Sequence, residues 1–350
     1  MVRNVTFAVP GDLATPTGGY AYDRRMIAEL AQLGWKVEVI HLGDGFPRPS
    51  KETRASAELR LAALAKGQPI VIDGLAFGVL PEAAAQLRLR HPLIAIVHHP
   101  LALETGLSPG EGAALHASEQ AALSVAARVV TTSATTARGL VADYGVPADR
   151  ICIAPPGTDQ APLARGSSDG TVRLLAIGSI VPRKGYDVLL AALATLADLP
   201  WHLTIAGDRT RDRTAASRLE ADIAGFEIGD RVTVLGAVSP ERVGELYAAA
   251  DLFVLASRFE GYGMVYAEAV MRGLPVVGTT AGAIPDTVPA GAGILVAPDD
   301  VAALAVALRR LIESPEERQR LATAARATAA RLPTWQDSAK LFSRALETVA

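Results

Sequence analysis

Residues 252–268 read LFVLASRFEGYGMVYAE. The apolar run at residues 252–255 is typical of a buried strand, and a helical pattern begins near Met264. Between them, Gly261 and Gly263 form a loop whose backbone can approach a ligand closely, because glycine has no side chain to obstruct it. The stretch therefore predicts a strand, a ligand-binding loop and a helix in succession.

The same alternation of short apolar runs and longer Ala/Leu-rich stretches extends along the whole chain. Strands that alternate with helices are parallel, and their helical crossovers cover both faces of the sheet. The predicted strands lie at residues 4–9, 36–41, 70–73, 93–98, 129–132, 151–154, 172–177, 202–206, 232–235, 252–255, 275–277 and 293–296. Helical patterns between them include residues 21–33, 55–66, 111–127 and 186–196. We therefore expect an α/β fold with Rossmann-like sheets.

The chain divides into two similar halves. Its 350 residues suffice for two domains, and a seam rich in Pro, Gly and Ser at residues 155–170 is the predicted linker. We predict Rossmann-like domains at residues 1–160 and 171–333. Ligands of open α/β sheets bind beyond the carboxyl ends of the strands, so two facing sheets would place a ligand in an interdomain cleft. Near the C-terminus, residues 314–317 read SPEE, which predicts a capping box at a helix start.

Composition excludes several classes of protein. Half of the residues are hydrophobic and 20% are charged, which argues against disorder. The net charge of −3 predicts no general attraction to nucleic acid. The single cysteine, Cys152, allows no internal disulfide and is predicted to be a small buried residue. No signal-peptide or membrane-span pattern is present, so we expect a cytoplasmic protein that can still touch a membrane surface.

Two carboxylates accompany the glycine loop of residues 252–268. Glu260 lies on the loop and Glu268 lies about one turn inside the helix, where side chains lean back toward the helix start. Both can face an anionic ligand held by the N–H groups of Gly263, Met264 and Val265. Carboxylates accept hydrogen bonds from hydroxyls, which suits a sugar and a ribose. The alternative is that both are solvated, or that they favour the helix dipole.

A second loop, residues 178–185, reads GSIVPRKG and joins a predicted strand to a predicted helix. Arg183 and Lys184 are adjacent cations among glycines, an arrangement that suits phosphate binding. Lys184 can act as a mobile point charge on phosphate. An exposed basic turn is the competing interpretation.

The first half contributes a glycine pair and a histidine. Gly18 and Gly19 follow the first strand, where they allow close backbone approach to a phosphate or a sugar, although such pairs also occur in plain turns. His98 ends a predicted strand at its carboxyl end, where functional residues of such sheets lie, and a purely structural role is equally open. His98 and His99 would point to opposite faces of the strand, so joint metal ligation is not expected. No Asp-x-Asp or Cys/His zinc spacing occurs, and no metal site is predicted. No G-x-G-x-x-G fingerprint supports a dinucleotide dehydrogenase.

Taken together, these motifs resemble the GT-B fold glycosyltransferases of family 4, the group 1 glycosyltransferases, most strongly at residues 172–313. Glu260 and Glu268 match the Glu-x7-Glu motif of that family, Lys184 its lysine, Gly18 and Gly19 its glycine loop, and His98 its histidine near the reaction centre. The resemblance implies a retaining enzyme that uses a nucleotide-sugar donor and needs no metal. Glu260 would hold the donor sugar, Lys184 the departing diphosphate and Glu268 the ribose, while His98 would contact the sugar.

The resemblance also implies further details. The acceptor, which is a saccharide, a lipid-linked molecule or another small molecule, would bind in the first domain. Residues 334–350, which read as an amphipathic helix, would return to that domain. Ser179 stands where many members carry arginine, and Arg183 is a candidate to compensate as a donor-binding cation. Asp286, in the loop at residues 281–286, replaces a frequent glutamate.

Two other functions remain compatible with these residues. One is a nucleotide-sugar epimerase or hydrolase with the same two-domain plan. The other is a non-catalytic module that binds a sugar or a partner protein, although the Glu pair and Lys184 argue against it.

Overall fold

The computed structural model describes residues 3–349, and every strand predicted from the sequence is present, with small shifts at the ends. Their order in the chain alternates with helices, as the apolar pattern predicts. The strands are β1 Arg3–Val9, β2 Trp35–His41, β3 Ile70–Asp73, β4 Leu93–Val97, β5 Arg128–Thr131, β6 Ile151–Ile153, β7 Val172–Ile177, β8 Trp201–Ala206, β9 Val232–Gly236, β10 Leu252–Val254, β11 Val276–Thr279 and β12 Gly293–Val296.

The helices connect these strands as parallel crossovers and extend beyond the last of them. They are α1 Gly18–Gln32, α2 Lys51–Ala62, α3 Gly74–Phe77, α4 Pro81–Leu87, α5 Pro109–Ser124, α6 Ala134–Tyr144, α7 Tyr186–Ala194, α8 Arg213–Gly225, α9 Pro240–Ala249, α10 Met264–Met271, α11 Ile284–Thr287, α12 Val301–Glu313, α13 Pro315–Ala329 and α14 Trp335–Glu347. No helix among the described residues combines the length and hydrophobicity that crossing a bilayer requires.

The first compact unit comprises Met1–Gly157 and Pro333–Ala350. Its sheet has the strand order β2-β1-β3-β4-β5-β6, and all neighbouring strands are parallel. Strands β3 and β4 are buried at every position because helices cover both faces. The direction in which successive strands are added to the sheet reverses between β1 and β3, and such a switch point leaves a crevice beyond the strand ends.

Helix α14 packs on this first unit although it follows the second unit in the chain. The rings of Phe342 and Phe7 stack with centroids 5.9 Å apart, and the indole of Trp35 donates to Ser343 Oγ at 2.9 Å. At the crossing point, a side chain on Gly157 would collide with the backbone of Trp335, because its Cβ would lie 2.2 Å from the Trp335 nitrogen. The last helix is thus an integral part of the first unit.

The second compact unit comprises Thr158–Leu332, with the strand order β12-β11-β10-β7-β8-β9, again parallel throughout. Its switch point lies between β7 and β10. The unit begins inside the segment predicted as a linker, and that segment is packed: the Ser167 N–H donates to Asp251 Oδ1 at 2.9 Å. The loops after β7 and β10 carry the motifs at residues 178–185 and 252–268.

One prediction about the core is wrong. Cys152 is half-buried rather than buried, because it lies on β6 at the edge of the first sheet, where α14 covers it only in part. Its thiol contacts the carbonyl of Leu341 at 3.5 Å, and burial raises the pKa of the thiol. The residue is therefore a weakly acidic edge residue with a packing role.

Candidate active site

In the second unit, the centre of the candidate site is the carboxylate of Glu260, which follows β10 and is 6% exposed. Its Oε1 accepts hydrogen bonds from Lys184 Nζ at 2.7 Å and from Ser257 Oγ at 2.7 Å. Its Oε2 lies 3.3 Å from Arg183 Nη1. The two loops at the switch point of this sheet therefore meet in one buried, hydrogen-bonded cluster.

Glycines make this close approach of loops feasible. A Cβ on Gly282 would lie 2.3 Å from the Glu260 carbonyl oxygen, and one on Gly185 would lie 2.0 Å from the Ala256 carbonyl oxygen. Both glycines have positive φ, which other residues rarely adopt. The Ala283 N–H donates to the Glu260 carbonyl at 2.8 Å. The loop at residues 281–286 thus packs against the backbone of Glu260 and fixes its position. Asp286 of this loop is exposed on α11.

The charge of Glu260 is set by two opposing influences. Burial raises its pKa, but the neighbouring Lys184 and Arg183 outweigh burial and lower the pKa to about 2. The side chain is therefore a carboxylate at neutral pH, ready to accept hydrogen bonds from hydroxyl groups. The ion pair with Glu260 also positions Lys184. The alkyl chain of Lys184 passes over Gly178, where a Cβ would lie 3.1 Å from Lys184 Cε.

The start of α10 lies beside this carboxylate. Gly263 is its left-handed N-cap with φ +88, and a Cβ on Gly263 would lie 3.8 Å from Glu260 Cβ. Helix N–H groups at positions such as those of Met264 and Val265 have no acceptor within the helix and carry partial positive charge. The structure thus brings together the predicted residues Glu260, Lys184 and Gly263, with an anion-attracting helix start beside them.

Glu268 lies one turn into α10 and has partners of its own. Its Oε2 accepts from the Tyr247 hydroxyl at 3.1 Å, and the guanidinium of Arg272 covers the Tyr247 ring at 4.4 Å. Burial raises the pKa of Glu268. Tyr247 is a residue that the sequence reasoning missed, because a tyrosine in an amphipathic helix carries no signal of its own.

Arg183 contacts the 259–260 segment of the other loop, a contact that the sequence does not predict. Its Nη1 donates to the Phe259 carbonyl at 2.8 Å and contacts the Glu260 carboxylate. Ser179, near the start of the same loop, is half-buried. A second cation, next to Lys184 in the 178–185 loop, therefore contacts the Glu260 carboxylate.

In the first unit, the glycine pair and the histidine meet at the ends of β1 and β4. Gly18 and Gly19 open α1, whose N-cap is Thr17. A Cβ on Gly19 would lie 3.3 Å from His98 Cδ2, so the ring packs directly against the glycine backbone. The sequence prediction singled out these residues separately, and the tertiary structure places them in contact.

Two buried aspartates surround the same imidazole. His98 Nε2 lies 3.2 Å from Asp73 Oδ2 and 3.4 Å from Asp23 Oδ1. Burial lowers the pKa of His98, but the two carboxylates outweigh burial and raise it to about 10. Burial raises the pKa of Asp23 to about 7. Each of the three side chains offers one ligand atom, and these atoms lie within 4.8 Å of one another, a set that could hold a metal ion. The expectation of no metal site remains a prediction.

Both aspartates were missed by the sequence reasoning. Asp73 is the last residue of β3, and the rule that selected His98 at the end of β4 applies equally to it. Asp23 lies four residues after Gly19 on α1, on the same face of the helix. Of the two, only Asp73 could have been found from the sequence, by its place at the carboxyl end of a predicted strand.

Comparison with known proteins identifies the family. Residues 158–328 match the family model for glycosyl transferases group 1, and residues 18–161 match that for Glycosyltransferase Family 4. The chain belongs to the group 1 glycosyltransferases. The resemblance predicted from the motifs is therefore confirmed, and the two matches together span both compact units.

The relatives of this glycosyltransferase act on several substrates. The MMP alpha-(1->4)-mannosyltransferase of Mycolicibacterium hassiacum is 28% identical over 333 residues, which are 87% of this chain and 77% of the relative. Other curated relatives, D-inositol 3-phosphate glycosyltransferases that are 31–34% identical, are matched over only about half of their own length, 47–59%.

Solved structures confirm the GT-B fold of this glycosyltransferase. Sucrose-phosphate synthase from Thermosynechococcus elongatus superposes with a TM-score of 0.82 at 22% identity, covering 98% of each chain. HepE from Anabaena, solved in complex with UDP-glucose, has a TM-score of 0.74 at 20% identity and covers 98% of this chain and 99% of its own. At these identities the superpositions bear on the fold alone.

The predicted site residues of this glycosyltransferase thus form two clusters, one in each unit. Glu260, Lys184, Arg183 and the α10 start belong to the second unit. Gly18, Gly19 and His98 belong to the first, together with the two aspartates.

Proposed function

We propose that this glycosyltransferase moves a sugar from a nucleoside diphosphate sugar to a hydroxyl acceptor with retention of anomeric configuration. The observation that supports the proposal most directly is the ionised Glu260, bound by Lys184 and Ser257 beside the start of α10. A carboxylate for sugar hydroxyls and positive charge for a diphosphate then lie within a few ångströms of each other. The UDP-glucose complex of HepE and the mannosyl transfer named for the mycobacterial relative are consistent with such a donor.

The chemistry follows from the placement of charge. As the bond between the anomeric carbon and the diphosphate breaks, negative charge grows on the leaving oxygen. Lys184, Arg183 and the α10 N–H groups of Met264 and Val265 stabilise that charge, because positioned cations and helix N-termini act most strongly in a water-poor site. Two protein cations and a helix start supply the charge that a metal ion supplies elsewhere, so we propose that diphosphate departure needs no metal.

The remaining roles complete the proposal. Glu260 accepts hydrogen bonds from the donor sugar, Glu268 accepts them from the ribose with Tyr247 holding its carboxylate, and His98 contacts the transferred sugar. The acceptor oxygen then bonds to the anomeric carbon on the face that the diphosphate leaves, and the hydroxyl proton passes to the departing diphosphate oxygen on that same face. Acceptor contacts belong to the first unit in this proposal, and the acceptor is a saccharide, a lipid-linked molecule or another small molecule.

The test begins with a thermal-shift screen of UDP-, GDP-, ADP- and TDP-sugars, because a ligand that binds the folded state raises its melting temperature. The donor that raises it most is then incubated with hydroxyl acceptors, and NMR of the anomeric proton reports the configuration of the product. A product with the donor's own configuration supports the proposal. Inversion would contradict retention, and a new sugar isomer or free sugar without transfer would identify an epimerase or a hydrolase instead.

A further inference from the structure

The arrangement of Asp23, Asp73 and His98 in the first unit has features that a contact with the sugar does not explain. Asp23 comes from α1, Asp73 from the end of β3 and His98 from the residue after β4. Both carboxylates are buried, and both approach Nε2, the same nitrogen of the imidazole. Within residues 3–349, neither oxygen of Asp23 has a partner at strict hydrogen-bond geometry, and its polar neighbours are the His98 imidazole and the Asp73 carboxylate.

Two buried carboxylates that close together require a positive charge or a proton between them. An isolated buried carboxylate is costly, and two of them repel each other. Tyr22 of α1 packs against the cluster without bringing a charge: its ring meets His98 edge-on at 5.4 Å, and its hydroxyl donates to the Ala154 carbonyl at 2.9 Å. Arg25, on the same helix, lies over the Trp335 ring at 5.0 Å. The imidazole of His98 is therefore the group that faces both carboxylates.

We propose that Asp23 is a positioning residue that acts with Asp73 to hold His98 as an imidazolium with Nε2–H directed at the two carboxylates. The inference rests on the proposed function in one respect, namely that His98 contacts the sugar. It adds that His98 meets its ligand as a positively charged hydrogen-bond donor and not as a general base, since both ring nitrogens of an imidazolium carry protons.

The geometry holds the ring in one orientation. A half-turn of the ring would exchange Nε2 for a carbon, and both carboxylate contacts would be lost. Gly19 limits sliding of the ring, because a Cβ there would already lie 3.3 Å from His98 Cδ2. The increased pKa of His98, which the two carboxylates cause against the effect of burial, agrees with this arrangement.

The two aspartates differ in a way that decides the experiment. Asp73 Oδ1 also accepts from the Leu75 N–H at 2.7 Å and caps α3, so a change there affects the backbone as well. Among the described residues, Asp23 accepts no hydrogen bond from the backbone. Asp23→Asn is therefore the informative variant, and Asp143→Asn, at an exposed position of the same unit, is its matched control.

The direct test is a proton NMR titration of the six histidines, with the His98 signal assigned by its loss in His98→Gln. We expect His98 of the wild type to remain protonated at pH 8 and to titrate at a lower pH in Asp23→Asn, whereas Asp143→Asn behaves as wild type. A wild-type His98 that is neutral at pH 7 would overturn the proposal, and this result does not depend on Asp23→Asn being stable. Because the titration uses no substrate, it is informative even if sugar transfer is never observed.

The pH dependence of kcat distinguishes this positioning role of Asp23 from a purely structural one. At pH 8 we expect Asp23→Asn to reduce kcat by about tenfold with little change in KM for the donor, and to regain activity as the pH falls and His98 is protonated again. A kcat that is reduced equally at every pH would contradict the proposal. So would binding of Co²⁺ with a tetrahedral absorption spectrum that Asp23→Asn abolishes, because the three residues would then be metal ligands.

Discussion

At the scale of single residues, Glu260 shows how a buried charge is maintained. The side chain is 8% exposed, and its ion pair with Lys184 measures 2.7 Å. Removing one partner of a buried pair is more costly than the pair is worth, because the remaining charge is left in a poor solvent. The same contact fixes the Lys184 ammonium, to which the proposed mechanism assigns the diphosphate, so stability and the proposed function depend on the same atoms.

Replacing the carboxylate by an amide tests its role in binding. We expect Glu260→Gln to reduce the rate of sugar transfer by about tenfold or more, because an amide presents one acceptor oxygen and no charge to the donor sugar. The measurement is kcat/KM for the donor with purified protein. Glu245→Gln, a change at an exposed carboxylate that pairs with Arg242, is the control and should leave kcat/KM unchanged. Near-normal transfer by Glu260→Gln would show that the role is assigned to the wrong residue.

The lowered pKa of Glu260 predicts a specific acid sensitivity. Because the pKa is about 2 in the folded protein and about 4.3 in the unfolded chain, its contribution to stability is present above about pH 5 and is lost as the pH falls toward 2. In Lys184→Ala the nearest charge no longer offsets burial, so we expect the pKa of folded Glu260 to rise. The acid-dependent loss of stability should then be smaller and should end at a higher pH than in the wild type. Melting temperatures across the acid range measure it.

A control separates this effect from general acid sensitivity. Arg218→Ala removes a highly exposed cation of the same unit, which pairs with Asp222, and should leave the acid profile unchanged. Superimposable profiles for Lys184→Ala and the wild type would argue that Lys184 does not set the charge of Glu260.

At the scale of elements, the connection between α12 and α13 shows where local patterns mislead. Ser314 Oγ accepts from the Glu317 N–H at 3.1 Å, as the predicted capping box requires. The reciprocal bond is absent here, because the Ser314 N–H already donates to the Arg310 carbonyl in the last turn of α12. The Glu317 carboxylate instead binds Arg320. A complete box forms at Ser108 and Glu111, where no preceding helix uses the N–H.

In the loop at residues 281–286, we expect the addition of one methyl group at Gly282 to reduce both stability and sugar transfer. In Gly282→Ala, the Cβ would lie 2.3 Å from the Glu260 carbonyl oxygen at a φ of +58, so the loop must move. We expect a lower melting temperature and weaker transfer, because Glu260 moves with the loop. Gly244→Ala, on α9 with nothing within 4 Å of the new Cβ, is the control and should be neutral or stabilising. Equal melting temperatures for the two variants would contradict this packing.

At the scale of the whole molecule, the chain order and the packing order differ. Helix α14 is the last element of the chain, yet it packs on α1 and completes the core of the first unit around Phe342 and Phe7. The first unit is therefore complete only after the chain has passed through the second. An amphipathic pattern at residues 334–349 indicates a helix but does not identify its partner.

This arrangement predicts that a destabilising substitution in α14 also destabilises β1 and α1, at the other end of the sequence. Phe342→Ala removes a fully buried ring and should destabilise the first unit by about 3–5 kcal/mol. Hydrogen exchange should then accelerate in β1 and α1 but not in β7 and α10. Val306→Ala, at an exposed position of α12, is the matched control. Faster exchange confined to the second unit would contradict the assignment of α14.

The strands, most of the helices and the two-sheet class follow from the sequence alone, and the sequence also singles out Gly18, Gly19, His98, Lys184 and Glu260 as candidate site residues. These inferences depend on the spacing of apolar residues and on loop chemistry, which are local along the chain. The folded chain was needed to see that Asp23 and Asp73 surround His98, that Arg183 reaches Glu260 and that α14 belongs to the first unit. The reason is physical: the energy of a buried charge or ring depends on distances between segments remote in sequence, and strand order and helix packing set those distances.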